Sequence, residues 1–151
     1  MVAAQSLDSF LKRHRSVFLD TSAFIYLVEH HPRYFPLCER IFDALEAGRI
    51  EASTSTLTLL EVLVQPYKRK NDELVFKFYA LLTSYPHLSW VPMTLHVADH
   101  AAKLRAECQL KTPDAIQAAT AISCGATGFI CNDKAFAKVT NFEILIIDDC
   151  L

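Results

Sequence analysis

The sequence predicts an α/β fold, with a mostly parallel five-stranded sheet held between helical layers. Three observations predict it. Short apolar runs stop on acids at Val17-Phe18-Leu19-Asp20, Phe129-Ile130-Cys131-Asn132-Asp133 and Ile144-Leu145-Ile146-Ile147-Asp148. Such runs read as strands buried on both faces, and open α/β sheets gather ligands beyond the carboxyl ends of their strands. Segments of helical periodicity alternate with these runs, as a layered α/β domain requires. Finally, 52% hydrophobic content with only 3 Gly and 6 Pro supplies a well-filled core and excludes a disordered chain.

At 151 residues and 17.0 kDa the expectation is one domain spanning residues 1–151, with residues 1–15 as an N-terminal extension containing a short helix. No apolar stretch approaches the ~20 residues of a membrane helix, and no secretory leader pattern is visible, so a cytoplasmic protein is expected. The five cysteines (Cys38, Cys108, Cys124, Cys131, Cys150) are scattered and never spaced as C-x-x-C. They read as reduced thiols acting as small core residues, not as zinc ligands. A net charge of −2 argues against a protein that coats nucleic acid by overall positive charge, although clustered acids would leave a basic surface elsewhere.

In chain order, residues 5–14 suit a short helix. After the first strand and helix, residues 31–36 read as a loop, because Pro32 and Pro36 break the periodicity. A helix over 37–47 follows, closed by Gly48, and 50–55 reads as the second strand. The next helix carries Thr58, Glu61 and Gln65 at i, i+3 and i+7, one polar stripe on an otherwise apolar helix. That stripe is either solvated or faces a cleft. Pro66-Tyr67-Lys68-Arg69-Lys70 reads as a basic turn, and Asn71 caps a helix with Leu74, Phe78 and Leu81 on its core side. The third strand spans 87–91. The longest helix spans 94–110, with Val97, Ala101, Leu104 and Cys108 as its buried seam; His96 and His100 on it read as exposed. Thr112 suits an N-cap, Pro113 the first helical position and Asp114 the first turn, ahead of a helix of small residues. Gly125 and Gly128 frame the turn into the fourth strand, residues 134–138 suit a short helix, and residues 143–147 form the last strand.

Singly, Asp20, Glu61, Asp114 and Asp133 each have a structural explanation in capping or solvation. Together they are four acids at strand ends, a helix start and a helix stripe, all compatible with one cleft. Carboxylates so gathered repel and take up protons unless cations neutralise them. Hard oxygen donors without His or Cys point to Mg²⁺ or Mn²⁺.

The sequence resembles the PIN-domain family, metal-dependent nucleases that include the VapC-like toxins of bacterial toxin–antitoxin pairs. The resemblance rests on Phe18-Leu19-Asp20-Thr21-Ser22, Leu60-Glu61-Val62, the stretch from Thr112-Pro113-Asp114 to Ala121, and Asn132-Asp133-Lys134-Ala135-Phe136. It implies strand order 3-2-1-4-5 and hydrolysis of RNA phosphodiester bonds, with Asp20, Glu61, Asp114 and Asp133 as catalytic metal ligands for Mg²⁺ or Mn²⁺. Thr21, Ser22 and Asn132 would support those ligands; Asn132 stands where many members have Thr or Ser. The resemblance also implies an antitoxin partner and a homodimer. Lys68, Arg69, Lys70, Arg105 and Lys111 are candidates for steering the RNA backbone. Asp148 and Asp149 are rival ligands by the strand-end argument but match no family position, and read as a solvated tail.

Three other readings compete. A PIN-like domain could bind RNA or protein without cutting, yet then has little reason to keep four repelling acids. A structure-specific DNA nuclease would use the same acids. A receiver-like regulatory domain also places acids at strand ends, but Glu61 on a helix and the Thr112-Pro113-Asp114 start fit it poorly.

Overall fold

The computed structural model describes residues 6–151. Residues 1–5, which include the start of the predicted extension, lie outside the described residues. Five strands, β1 (Ser16–Leu19), β2 (Glu51–Ser55), β3 (Leu88–Val91), β4 (Gly128–Cys131) and β5 (Glu143–Ile146), form one sheet in the order β3-β2-β1-β4-β5. Every neighbouring pair is parallel, with Phe18 beside Ser53 on one side and Phe129 on the other. This is the order that the family resemblance implies.

Among the described residues seven α-helices accompany the strands: α1 (Leu7–Arg13), which precedes β1, and α2 (Thr21–Val28), α3 (Phe35–Glu46), α4 (Thr56–Lys68), α5 (Asp72–Leu82), α6 (Leu95–Cys108) and α7 (Thr112–Ser123) between the strands. Two core layers result. Val17, Leu19, Ile130 and Leu145 pack with residues of α1 to α5. Phe18, Phe129, Cys131 and Ile146 face the other way, against α6, α7 and the segment around Phe136 and Phe142. Period-two alternation therefore splits β1 and β4 between two cores, and both faces being covered explains why these strands read as continuous apolar runs. Phe129 stacks between Phe18 and Phe142, with ring centroids 5.2 and 4.7 Å away.

Helix α1 seals the amino ends of the strands. Phe10 is fully buried, and a Cβ on Gly128 would fall 2.7 Å from its Cζ, so only glycine lets the helix lie this close to β4. His14 Nδ1 lies 2.9 Å from Thr127 Oγ1, Arg13 pairs with Glu143 and Arg40 pairs with Asp8.

Several boundaries differ from expectation. Helix α3 starts at Phe35, not 37, because Pro36 sits in its first turn, where a missing N–H costs nothing. Helix α4 runs through Pro66 to Lys68, so residues 66–70 are not a free basic turn; the Pro66 ring is buried and its carbonyl accepts from the Asn71 N–H at 2.9 Å. The core stripe of α5 is Val75, Phe78 and Leu82, while Leu74 and Leu81 are half-buried. Lys111, not Thr112, is the N-cap of α7, and its side chain makes no capping bond. His87 precedes β3 in a left-handed conformation (φ 63°). All five cysteines are free; Cys38 and Cys131 are buried as expected, but Cys124 is exposed. His96 is exposed, whereas His100 is half-buried. Among the described residues no helix is long and apolar enough to cross a membrane.

Candidate active site

Asp20 ends β1 at the carboxyl rim, fixed by its N–H, which donates to Ile130 O at 3.0 Å. It occupies the N-cap position of α2, yet its carboxylate takes no helix-capping hydrogen bond. The capping explanation for this acid is thereby removed. Burial pushes its carboxyl from the ordinary 3.8 up to about 7; the Thr21 N–H works against that, and the charges of Glu61, Asp114 and Asp133 add to it. A carboxyl raised in this way would be returned to its ionised form by a neighbouring cation.

Asp114 lies in the first turn of α7. Its carboxyl is also raised, chiefly by burial, then by the charges of Asp133 and Glu61, with Lys111 acting in the opposite sense. Asp133 follows β4 and is exposed; its Oδ1 accepts from the Ala135 N–H at 2.8 Å and so caps the short 3-10 helix Lys134–Lys138. Glu61 projects from α4, and its Oε1 accepts from Thr21 Oγ1 at 2.8 Å and from Gln117 Nε2 at 3.3 Å. Four elements remote in sequence thus bring the predicted acids within one another's electrostatic reach.

The polar stripe of α4 divides. Thr58 is fully buried, Glu61 half-buried and Gln65 exposed, so the stripe runs from the core to solvent. Thr21 is tied to Glu61, whereas Ser22 Oγ is buried without a hydrogen-bond partner among the described residues. Asn132 is engaged elsewhere: its Nδ2 donates to Tyr26 Oη at 3.0 Å and its Oδ1 accepts from the Asp148 N–H at 2.9 Å. Asp148 is not a free tail residue, since it accepts from Tyr34 Oη at 2.7 Å and pairs with Arg33 at 3.4 Å.

Of the basic candidates, Lys111 stands beside Asp114 closely enough to act on its proton affinity. Arg105 uses its Nε to hold Leu110 O at 3.2 Å, closing the link between α6 and α7. Lys68 lies two helical turns beyond Glu61, about 10 Å along the axis, followed by exposed Arg69 and Lys70. A cleft of about 560 Å³ between α1 and α3, lined by Lys12, Arg40, Asp43 and Arg49, contains none of these residues. The buried Gln117 went unrecognised in the sequence because it sits in a helix of small residues that reads as packing alone.

The chemistry of these acids, hard carboxylate oxygens with no imidazole or thiolate among them, is of the kind that suits a hard divalent cation. Among the described residues no group of three or more Asp, Glu, His or Cys lies close enough, as placed, to hold a metal ion.

The PIN domain family model matches residues 17–141, and the chain belongs to that family. Among solved structures, VapBC2 from Rickettsia felis, bound to a DNA fragment from its promoter, is similar with TM-score 0.70 and 18% identity, over 87% of this chain and 98% of that one. VapBC-1 from nontypeable Haemophilus influenzae is similar with TM-score 0.66 and 21% identity, over 88% and 98%. VapC20 from Mycobacterium tuberculosis, described as a sarcin-ricin loop cleaving toxin, is similar with TM-score 0.66 and 16% identity, over 80% and 92%. No curated protein matches the sequence.

Proposed function

We propose that this protein is a metal-dependent endoribonuclease, the toxin of a toxin–antitoxin pair, with Asp20, Glu61, Asp114 and Asp133 as its catalytic metal ligands. The observation that carries the reading is Asp20, a strand-end carboxylate unused in capping and raised to about 7 by burial and three neighbouring acids. Mg²⁺ or Mn²⁺ bound there would supply the Lewis acidity that activates water and neutralises phosphate charge. The chain's own contribution is to hold carboxylate oxygens around the rim, to fix Glu61 through Thr21, and to keep a proton at Asp20 until a cation replaces it. Lys111 beside Asp114, with Lys68, Arg69, Lys70 and Arg105 as outlying charges, would draw in the RNA backbone.

The similar structures from R. felis and H. influenzae are VapBC assemblies, which supports an antitoxin partner here. Exposed Leu60, Val64 and Tyr67 at i, i+4 and i+7 on α4, with Phe76 and Tyr79 on α5, offer apolar surface to a protein partner or a second copy. Likeness to VapC20, a toxin that cleaves the sarcin-ricin loop, supports RNA as substrate. The setting would be cytoplasmic, with residues 1–151 acting as a single nuclease domain and a homodimer as the working unit.

The test is cleavage of a mixed structured RNA by purified protein in Mg²⁺, Mn²⁺ and chelator, with Asp20→Asn prepared identically. Metal-dependent cutting lost in the variant supports the reading; cutting that survives in the variant refutes the site. DNA of the same sequence, run alongside, separates an endoribonuclease from a DNA nuclease. Absence of cutting together with metal binding would favour the RNA- or protein-binding reading.

A further inference from the structure

Beneath the acid rim lies a buried polar chain that joins five elements, β1, α2, β2, α4 and α7. Thr54 Oγ1 is 2.8 Å from Leu19 O and 2.8 Å from Thr58 Oγ1. Gln117 Nε2 lies 2.9 Å from Thr58 Oγ1, 3.2 Å from Thr21 Oγ1 and 3.3 Å from Glu61 Oε1. Thr54 and Thr58 are fully buried, and Gln117 is 1% exposed. These groups do not face bulk water, so their protons must be shared among themselves.

Proton counting gives the chain one direction. Each hydroxyl has a single proton to donate. Leu19 O can only accept, so Thr54 donates to it; Thr58 then donates to Thr54, and the Thr58 oxygen accepts one Gln117 N–H. At the other end the Glu61 carboxylate can only accept: its Oε1 takes the Thr21 hydroxyl proton and a share of the second Gln117 N–H, which lies between Thr21 Oγ1 at 3.2 Å and Glu61 Oε1 at 3.3 Å. Among the described residues no hydrogen bond reaches Oε2. The amide orientation follows from this, because turning it over would set two acceptor oxygens against each other at Glu61. The chain keeps that orientation although it leaves Gln117 Oε1 buried without a partner.

We propose that Gln117 is the positioning residue of the acid site: it ties Glu61 to the end of β1 through Thr58, Thr54 and Leu19, so that Oε1 is occupied and Oε2 is presented to the cation. This rests on the metal-dependent reading above. Gln117 touches no substrate and acts through Glu61. Its position three residues after Asp114 lets a single turn of α7 supply one ligand and orient another from α4.

The test is direct Mn²⁺ binding, read from the paramagnetic resonance signal of free Mn²⁺, for Gln117→Met, Glu61→Gln and the double variant. Gln117→Met keeps the volume and removes the donor. It should weaken Mn²⁺ affinity about 10-fold or more, the usual range for groups that orient ligands, while the melting temperature in chelator changes little. In the Glu61→Gln background the same substitution should have no further effect on Mn²⁺ affinity. Thr58→Val, which removes the hydroxyl that anchors Gln117 but keeps its shape, should weaken binding in the same direction and carries the test should Gln117→Met fail to fold. Affinity within twofold of the parent for both variants, or an equal loss with and without Glu61, overturns the proposal while leaving the metal site standing. No Mn²⁺ binding by the parent protein overturns the metal-dependent reading and this inference together.

Discussion

Thr21 and Glu61, forty residues apart, are joined by a 2.8 Å hydrogen bond from hydroxyl to carboxylate. The bond links the first helical residue after β1 to the second turn of α4, so the acid at the end of β1 and the acid on α4 cannot drift independently. Two of the four acids are thus held by the scaffold before any cation arrives. Pre-organisation of this kind is what a metal site on a rigid sheet can provide and a loop cannot.

Asp20 makes the stability of the metal-free protein depend on pH. Its carboxyl is raised from 3.8 to about 7, so the folded state holds a proton that the unfolded state has released. The contribution is fully present below the unfolded value and is lost as pH rises through the folded one. In chelator the melting temperature should therefore fall between pH 5 and pH 8. Asp20→Asn should abolish most of that fall, melt several degrees above the parent at pH 8 (each ~1 kcal/mol is worth about 2–4 °C in a domain of this size) and cleave no RNA. Calorimetry in chelator at the two pH values checks it; a parent curve flat with pH would contradict the burial of Asp20.

Metal should reverse the same repulsion. Mg²⁺ or Mn²⁺ should raise the melting temperature of the parent, by mass action on the folded state. Asp114→Asn should melt above the parent in chelator, because Asp114 is pushed up by burial and by Asp133 and Glu61. It should also lose both cleavage and most of the metal-induced shift. Equal melting of the two proteins in chelator would mean that Asp114 is not strained by its neighbours.

Asp148 and Asp149 should be dispensable. Asp148 is engaged by Tyr34 and Arg33, an exposed arrangement of the sort that contributes little. Asp148→Asn with Asp149→Asn should leave metal-dependent cleavage within about twofold of the parent, and a large loss would redraw the acid quartet.

Gly128→Ala should separate stability from chemistry. Its Cβ would meet Phe10 Cζ at 2.7 Å and His14 Cγ at 3.1 Å, forcing α1 off the sheet at a cost of about 1–3 kcal/mol. The urea midpoint should fall while cleavage at low temperature persists, since Asp133 lies beyond the opposite end of β4, a strand about 10 Å long at 3.3 Å per residue.

The sequence made β1 and its acid legible because a strand buried on both faces leaves an uninterrupted apolar run, and Asp20 interrupts it. The four acids were legible as separate features. Their positions at strand ends, a helix start and a helix stripe made one cleft conceivable, whereas the strand order that sets β4 and β2 on either side of β1 came from family resemblance and not from periodicity. Local rules misplaced Pro36 and Pro66, because proline breaks helices only where its missing N–H matters, and tertiary burial of the Pro66 ring outweighs the lost bond. Gln117 was illegible for another reason. A lone amide among alanines carries no periodic signal, and its meaning depends on Thr58 and Glu61, more than fifty residues away.

The pairing of β1 has a temporal consequence. The carbonyl of Ser16 accepts from the Thr127 hydroxyl 111 residues later, and Asp133 follows only after β4 is in place beside β1. During synthesis the amino-terminal part emerges first, so α2, α4 and the Thr21–Glu61 bond can form while the fourth acid is still inside the ribosome. A fragment ending before residue 128 would carry Asp20, Glu61 and Asp114 without the strand that completes the rim. A chain in synthesis would thus be unable to assemble all four carboxylates until β4 and Asp133 had been made and paired beside β1.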